Sequence, residues 1–331
     1  MGEIAPPTSG LLEVRPLGAG DLPAIQSLFR DVFKQDLSDA FHAWKYRDGH
    51  SGAVGVFRAG KLVAHYAGIG ADILLQGKPA KALQIVDVMV SVEARNTVRA
   101  NSPFFLAAST FLQSHIGYQQ PYLLGYGFPS HRHLRLAQHL NLYAPVGGMT
   151  ELRIEADPKG RLSDLRFRWR RLEHANWERY VASADALWQG MQASLTSGIL
   201  VRRDAKRLAY RYLQHPHQPY LLWMLESRLT GRPSAIVVLK QEAERLLLMD
   251  IVTPLDRMRD ALRLTALQTS RQFSLPLVGW FSASYAAQVA PTAAKLTALP
   301  ISTPANIWTD GPKPDELQDL WWLTAGDTDF L

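Results

Sequence analysis

The chain has 331 residues, long enough for two domains of ordinary size and for a core that needs no disulfide or metal to hold it. Hydrophobic residues make up 47% and charged residues 20%, which excludes wholesale disorder. There is no cysteine, which excludes disulfide frameworks, thiolate metal sites, iron–sulfur clusters and a thiol nucleophile.

Lysine and arginine number 36 against 30 aspartate and glutamate, a net charge of +6. That excess allows anionic partners but, lacking a long basic stripe, does not point to nucleic acid. One basic cluster stands out: Arg161, Arg166, Arg168, Arg170 and Arg171. The start, MGEIAPPTSGLLEV, has an early acid and no apolar segment, so no secretory signal is expected. No run approaches the roughly 18 apolar residues of a membrane span. With the missing cysteines, this makes the cytoplasm the expected compartment.

Taken in order, LLEVRPL reads as a strand and LPAIQSLFRDVF as an amphipathic helix with Asp21 at its N-cap. Residues 41–47 (FHAWKYR) form a short helix. GAVGVFRAG and KLVAHYAGIGADILL are strands joined by a tight turn at Gly60. ALQIVDVMVSV has the apolar, β-branched composition of a buried central strand. A helix over 104–115, a strand PYLLGYGF, a basic helix over 131–142 capped by Ser130, and a strand APVGGMTELRIE close the half.

ADPKG at 156–160 reads as a linker. The second half begins with a strand, LRFRWRRL, and helices over 176–193 and RRDAKRLAYRYLQHP. Strands YLLWMLESRL and SAIVVLKQEAERLLLMDIVT follow, the latter turning near Glu242–Glu244. A helix starts after Pro254, then a strand PLVGWFSAS, then a helical stretch SYAAQVAPTAAKLTAL. Two units, 11–155 and 156–331, are predicted. In each, a helix (Trp44, Tyr210) precedes strands and a central Asp-bearing strand (Asp87, Asp250), then helix, strand and helix. The halves have diverged, since only Trp44 of the nine tryptophans lies in the first.

VDVMVSVEARNTVRANSPFFLAASTFL resembles the central strand, pyrophosphate loop and helix of the GNAT acyltransferases. PYLLGYGFPSHRHLRLAQHLNLY resembles the next strand and helix of that family. With the second copy and the terminal W-x-x-T-x-G-D (Trp321, Thr324, Gly326, Asp327), the chain resembles tandem GNAT-like proteins tied to cell-envelope or exopolysaccharide work. The resemblance implies a mixed α/β fold of two tandem GNAT-like units, with acetyl-CoA or another acyl-CoA as co-substrate.

The implied cofactor residues are Met89, Val90, Val92, Arg95, Asn96, Val98, Arg99, Ala100, Asn101, Ser102 and Ser130. Strand backbone would hold the pantetheine arm, and loop amides with the helix N-terminus would hold the pyrophosphate. Val98 replaces the glycine of the family's loop, and Ala137 stands where many members carry an acidic tyrosine.

Asp87 is the candidate general base, an acid inside an apolar strand, with a paired core carboxylate as the alternative. Tyr126 is a candidate acid, beside Tyr143, Ser130 and His131. Trp44, Lys45, Tyr46 and Arg47 are placed to meet an acceptor. His131-x-His133 and His215-x-His217 lack metal-site spacing, and no metal is expected. The expected activity is N-acyl transfer, acetyl transfer in particular, to an amine on a small molecule or amino sugar. A tRNA-dependent aminoacyl transferase of the peptidoglycan type and a non-catalytic binding protein are the alternatives.

Overall fold

The computed structural model describes residues 11–47, 52–95, 101–157 and 166–328. In the first half these form β1 (Leu12–Pro16), α1 (Leu22–Phe33), α2 (Asp39–Lys45), β2 (Ala53–Arg58), β3 (Lys61–Leu75), β4 (Lys78–Val90), α3 (Pro103–His115), β5 (Leu124–Tyr126), α4 (His131–His139) and β6 (Tyr143–Ile154). The second half contributes β7 (Phe167–Leu172), α5 (Val181–Ser194), β8 (Ile199–Val201) and α6 (Ala205–Leu208), which a wider π-type turn continues through Ala209–Leu213. Then come β9 (Leu221–Ser227), β10 (Pro233–Gln241), β11 (Leu246–Val252), α7 (Leu255–Phe273), β12 (Leu277–Ser282), α8 (Ala283–Val289), β13 (Lys295–Asn306), α9 (Pro314–Leu317) and β14 (Trp321–Trp322).

The strand order repeats. One sheet runs β1-β2-β3-β4-β5 and the other carries β7-β9-β10-β11-β12. In both, every neighbouring pair is antiparallel except the last, which is parallel. A parallel pair needs a crossover, supplied by α3 in one unit and α7 in the other. α1 buries Ile25, Leu28 and Phe29, one stripe at helical spacing, against Met89 of β4. α3 and α4 pack Phe111, Leu112 and Leu134 against Leu83 on the other face of β4.

The two units exchange strands. β6 lies in the second sheet between β12 and β13. β8 pairs with Ile73–Leu75 of β3, and β14 pairs with β8. The chain therefore crosses between sheets on both sides of the expected linker, of which residues 158–160 lie outside the described residues.

Two local expectations change. Asp21 occupies the N-cap of α1, but its carboxylate accepts instead from Arg15 Nη2 at 2.7 Å and Gly18 N at 2.9 Å. The helical stretch expected through residue 299 stops at Val289. Pro291, which lacks an N–H, follows it, and Lys295–Asn306 becomes an outer strand where Pro300 and Pro304 cost no ladder bond.

Candidate active site

β4 and β5 pair only through Ala82–Leu124, Leu83–Gly125 and Gln84–Tyr126. Beyond that point β4 runs on to Val90 while β5 turns away at Gly127. Among the described residues no strand pairs with the freed edge of Ile85–Val90. This leaves a slot between the strands with backbone donors and acceptors along one wall. Val88, 38% exposed, lies on this stretch, and Val92, 61% exposed, follows it.

Asp87 marks the slot. Register shifts between His65 and Ala67, so Asp87 and Val88 together oppose Tyr66, a β-bulge. Asp87 has φ 47°, the left-handed region. Its Oδ1 pairs with Lys45 Nζ at 2.7 Å and its Oδ2 accepts from Tyr46 Oη at 2.5 Å. His65 Nδ1 donates to its carbonyl at 2.7 Å. Burial pushes the carboxyl up, but the Lys45 charge and both hydrogen bonds outweigh it, so Asp87 sits below its ordinary range. Burial keeps His65 neutral.

The other expected residues fall as follows. Met89 is buried against α1, so only its backbone can meet a ligand, and Val90 packs towards α3. Arg95 is exposed and donates Nε to Val90 O at 3.0 Å. Ser102 caps α3 by accepting from Phe105 N at 3.2 Å, with exposed Asn101 before it. Ser130 caps α4 by accepting from His133 N at 3.4 Å. Burial, then the charges of Arg132 and Arg95, lower His133, so both arginines lie near the start of α4. Asn96, Val98, Arg99 and Ala100 lie outside the described residues.

Tyr126 is buried against Trp321, with ring centroids 4.8 Å apart. Its hydroxyl has no hydrogen-bond partner among the described residues, and burial raises its pKa. Tyr143 instead shares its hydroxyl with Tyr66. Arg168 and Arg170 of the basic cluster share Glu226, and Arg171 pairs with Glu173.

A cleft reaches the apex of the slot from the face opposite α3 and α4. Trp44, Lys45, Gln84, Arg207, Arg211 and His215 line it, so both units contribute. Trp44 and Tyr210 stack at 5.4 Å across this junction. They also exchange hydrogen bonds: Trp44 Nε1 donates to Tyr210 O at 3.1 Å, and Tyr210 Oη donates to Trp44 O at 2.5 Å. Burial, then Arg211, lower His215 to about 4, and its Nδ1 accepts from Gln218 N at 2.9 Å. No group of three potential metal ligands occurs among the described residues, and no helix there is long and apolar enough to cross a membrane.

Residues 13–102 match the model of the acetyltransferase (GNAT) domain family. That stretch of the chain is thus similar to a GNAT acetyltransferase domain. No curated protein matches the chain. Among solved structures it is similar to an Enterococcus faecalis protein described as a probable N-acyltransferase, with TM-score 0.68 and 16% identity over 94% of this chain and 74% of that one. It is also similar to a GCN5-related N-acetyltransferase from Kribbella flavida, with TM-score 0.64 and 14% identity over 91% and 72%. N-myristoyltransferase from Saccharomyces cerevisiae, solved with myristoyl-CoA, gives TM-score 0.53 and 11% identity over 98% and 87%. The fold is thus two tandem GNAT-like units.

The second GNAT-like unit has the same splay, closed. β11 and β12 pair from Leu246–Leu277 to Leu248–Gly279 and then part. The C-terminal segment enters there: Ser282 N donates to Leu323 O at 3.1 Å, and Thr324 bridges Phe281. Gly326 lies so close to β11 that a Cβ would come within 2.6 Å of Met249 O. Asp250, the twin of Asp87, accepts from Tyr212 Oη at 3.0 Å and pairs with Arg203 Nε at 2.8 Å. Arg203 also holds Asp327 at 2.5 Å. Only residues 253 and 254 separate β11 from α7, against residues 91–102 between β4 and α3. The first amide of α7, Leu255 N, is taken by Ser194 Oγ at 2.9 Å.

Sequence reasoning missed Arg207 and Arg211 as cleft residues. The signal was there: they flank Tyr210, the counterpart of Trp44, at a spacing of four on one helical turn.

Proposed function

We propose that the chain transfers an acyl group, acetyl in particular, from acyl-CoA to the amine of a small molecule. The observation that carries this is the contrast between the two splays: among the described residues the one in the first unit is open along Ile85–Val90, and the other is filled by the chain's own C-terminal segment. The freed β4 edge fits an extended amide-bearing pantetheine arm as an added strand. The N-terminus of α3, with Arg95 and Arg132, fits the pyrophosphate. The acceptor enters by the cleft between the units, and the two substrates meet at Gln84 and Tyr126.

Acyl-CoA supplies the activated thioester. The amine nitrogen attacks its carbonyl, the C–S bond breaks, and the nitrogen loses a proton as the thiolate gains one. Tyr126 stays protonated through neutral pH, the state a proton donor to the thiolate needs. Asp87 has both carboxylate oxygens engaged, so in this reading it fixes Lys45 as a cation at the cleft floor.

Calorimetric titration with acetyl-CoA tests the reading. Micromolar binding is expected, weakened about ten-fold or more in Arg95→Ala/Arg132→Ala by loss of charge-assisted bonds. Absence of binding at millimolar acetyl-CoA would overturn it.

A further inference from the structure

The cleft between the units holds more positive charge than its own carboxylates neutralise. The Arg207 main-chain N donates to Asp204 Oδ1 at 2.9 Å, but its guanidinium makes no hydrogen bond or ion pair among the described residues and lies 5.9 Å from the Tyr210 ring. Arg211 donates only to main-chain carbonyls, Nε to Gly326 O at 3.2 Å and Nη2 to Thr328 O, and sits 5.6 Å over the Trp44 ring. Both line the cleft and also the smaller cavity beside it.

The nearby acids are already engaged. Asp87 pairs with Lys45, Asp204 with Arg202 at 2.5 Å, and Asp250 and Asp327 with Arg203. Two half-buried guanidiniums on one cavity wall with no carboxylate in hydrogen-bond contact among the described residues repel each other, and an anion bound between them relieves that cost. The planar forks match the oxygens of a carboxylate or phosphate. The aromatic wall of Phe41, Trp44 and Tyr210 beside them offers a flat face to the body of the ligand.

We propose that Arg207 and Arg211 form an oxyanion subsite for the acceptor, so that the amine substrate carries a carboxylate or phosphate. This rests on the acyl-transfer reading for its placement in catalysis, but binding at the subsite is measurable without acyl-CoA. Amino acids and phosphorylated amino sugars are the two sources of that chemistry.

The test pairs each anionic amine with a neutral analogue: alanine with alaninamide, and glucosamine 6-phosphate with glucosamine. Binding to the full chain is read by calorimetry at low and at 0.5 M salt. At least one anionic member is expected to bind about ten-fold or more tightly than its partner, the preference falling at high salt. Which pair responds identifies the source. Arg207→Gln, which removes no hydrogen bond of the fold, should erase most of the preference, and Arg207→Gln/Arg211→Gln the rest. Acetyl-CoA affinity, measured on the same proteins, should not change. Neither anionic member outbinding its analogue, or a preference that survives the double substitution, overturns the subsite. Loss of acetyl-CoA binding by the wild-type chain would instead sink the acyl-transfer reading alone.

Discussion

Asp87 combines three costs: a left-handed backbone, burial, and a charge taken out of water. Lys45 and Tyr46 from α2 offset them, so the α2–β4 contact is an ion pair before it is anything catalytic. Asp87→Asn leaves the Lys45 ammonium buried with its strongest partner gone, and should lower stability by about 3–5 kcal/mol in chemical denaturation. Pairing it with Lys45→Met should cost less than the two single changes added, as for any pair in contact. The sign of the pH dependence follows from the shifts. Asp87 has a lowered folded pKa, so its contribution is present at neutral pH and lost as pH falls below the ordinary carboxylate range. His215, lowered from 6.5 to about 4, stays neutral when folded, so the unfolded chain binds its proton first and stability falls across that window. His215→Phe should flatten the stability curve between pH 6.5 and 4, measured by urea midpoints.

At the level of elements, the C-terminal segment explains the terminal W-x-x-T-x-G-D. Asp327 is the second counter-ion of Arg203, and its Oδ2 also accepts from Thr324 N at 2.8 Å. Gly326 lets the backbone touch β11, where an added methyl would meet Met249 O and Tyr212 Oη. Gly326→Ala should therefore cost about 1–3 kcal/mol by overpacking, read as a lower urea midpoint. Arg203→Met should cost more, about 3–5 kcal/mol, since it leaves Asp250 and Asp327 buried together. Most elements were legible in the sequence because each carries its own period and punctuation: β2 and β3 turn at Gly60 with φ 77°, and Ser102 and Ser130 cap the helices they precede. The Asp87–Asp250 repeat was legible too, and its shared Tyr46 and Tyr212 partners are the structural form of it. β8 and β14 were not, because three and two residues carry no period, and β8 pairs with distant β3 while β14 pairs with β8. The cleft arginines escaped for a related reason: the face they point to is made by another unit.

On the scale of the whole molecule, the units are joined by more than the Trp44–Tyr210 contact. β6 would lose both neighbours, β12 and β13, if the chain ended at residue 155. Ile73–Leu75 of β3 would lose β8, and Gln84 would lose its 2.6 Å bond to Asp327 O. The apolar cluster that holds Tyr126 draws Ala82 and Leu124 from the first half and Ile199, Trp321 and Leu323 from the second. Tyr126 and the floor of the proposed acceptor cleft are thus finished by residues more than 70 positions downstream. A fragment spanning 11–155 should therefore expose β6 as an unpaired apolar strand, the feature that drives edge-to-edge association. It is expected to aggregate or to unfold without a cooperative transition in circular dichroism, whereas the full chain should melt in one step. A soluble 11–155 fragment with its own sharp transition and intact acetyl-CoA binding would show that the first unit is self-sufficient and that the strand exchange is only a tether. Its failure would mean that the second unit is retained because the first cannot close its core, or its acceptor cleft, alone.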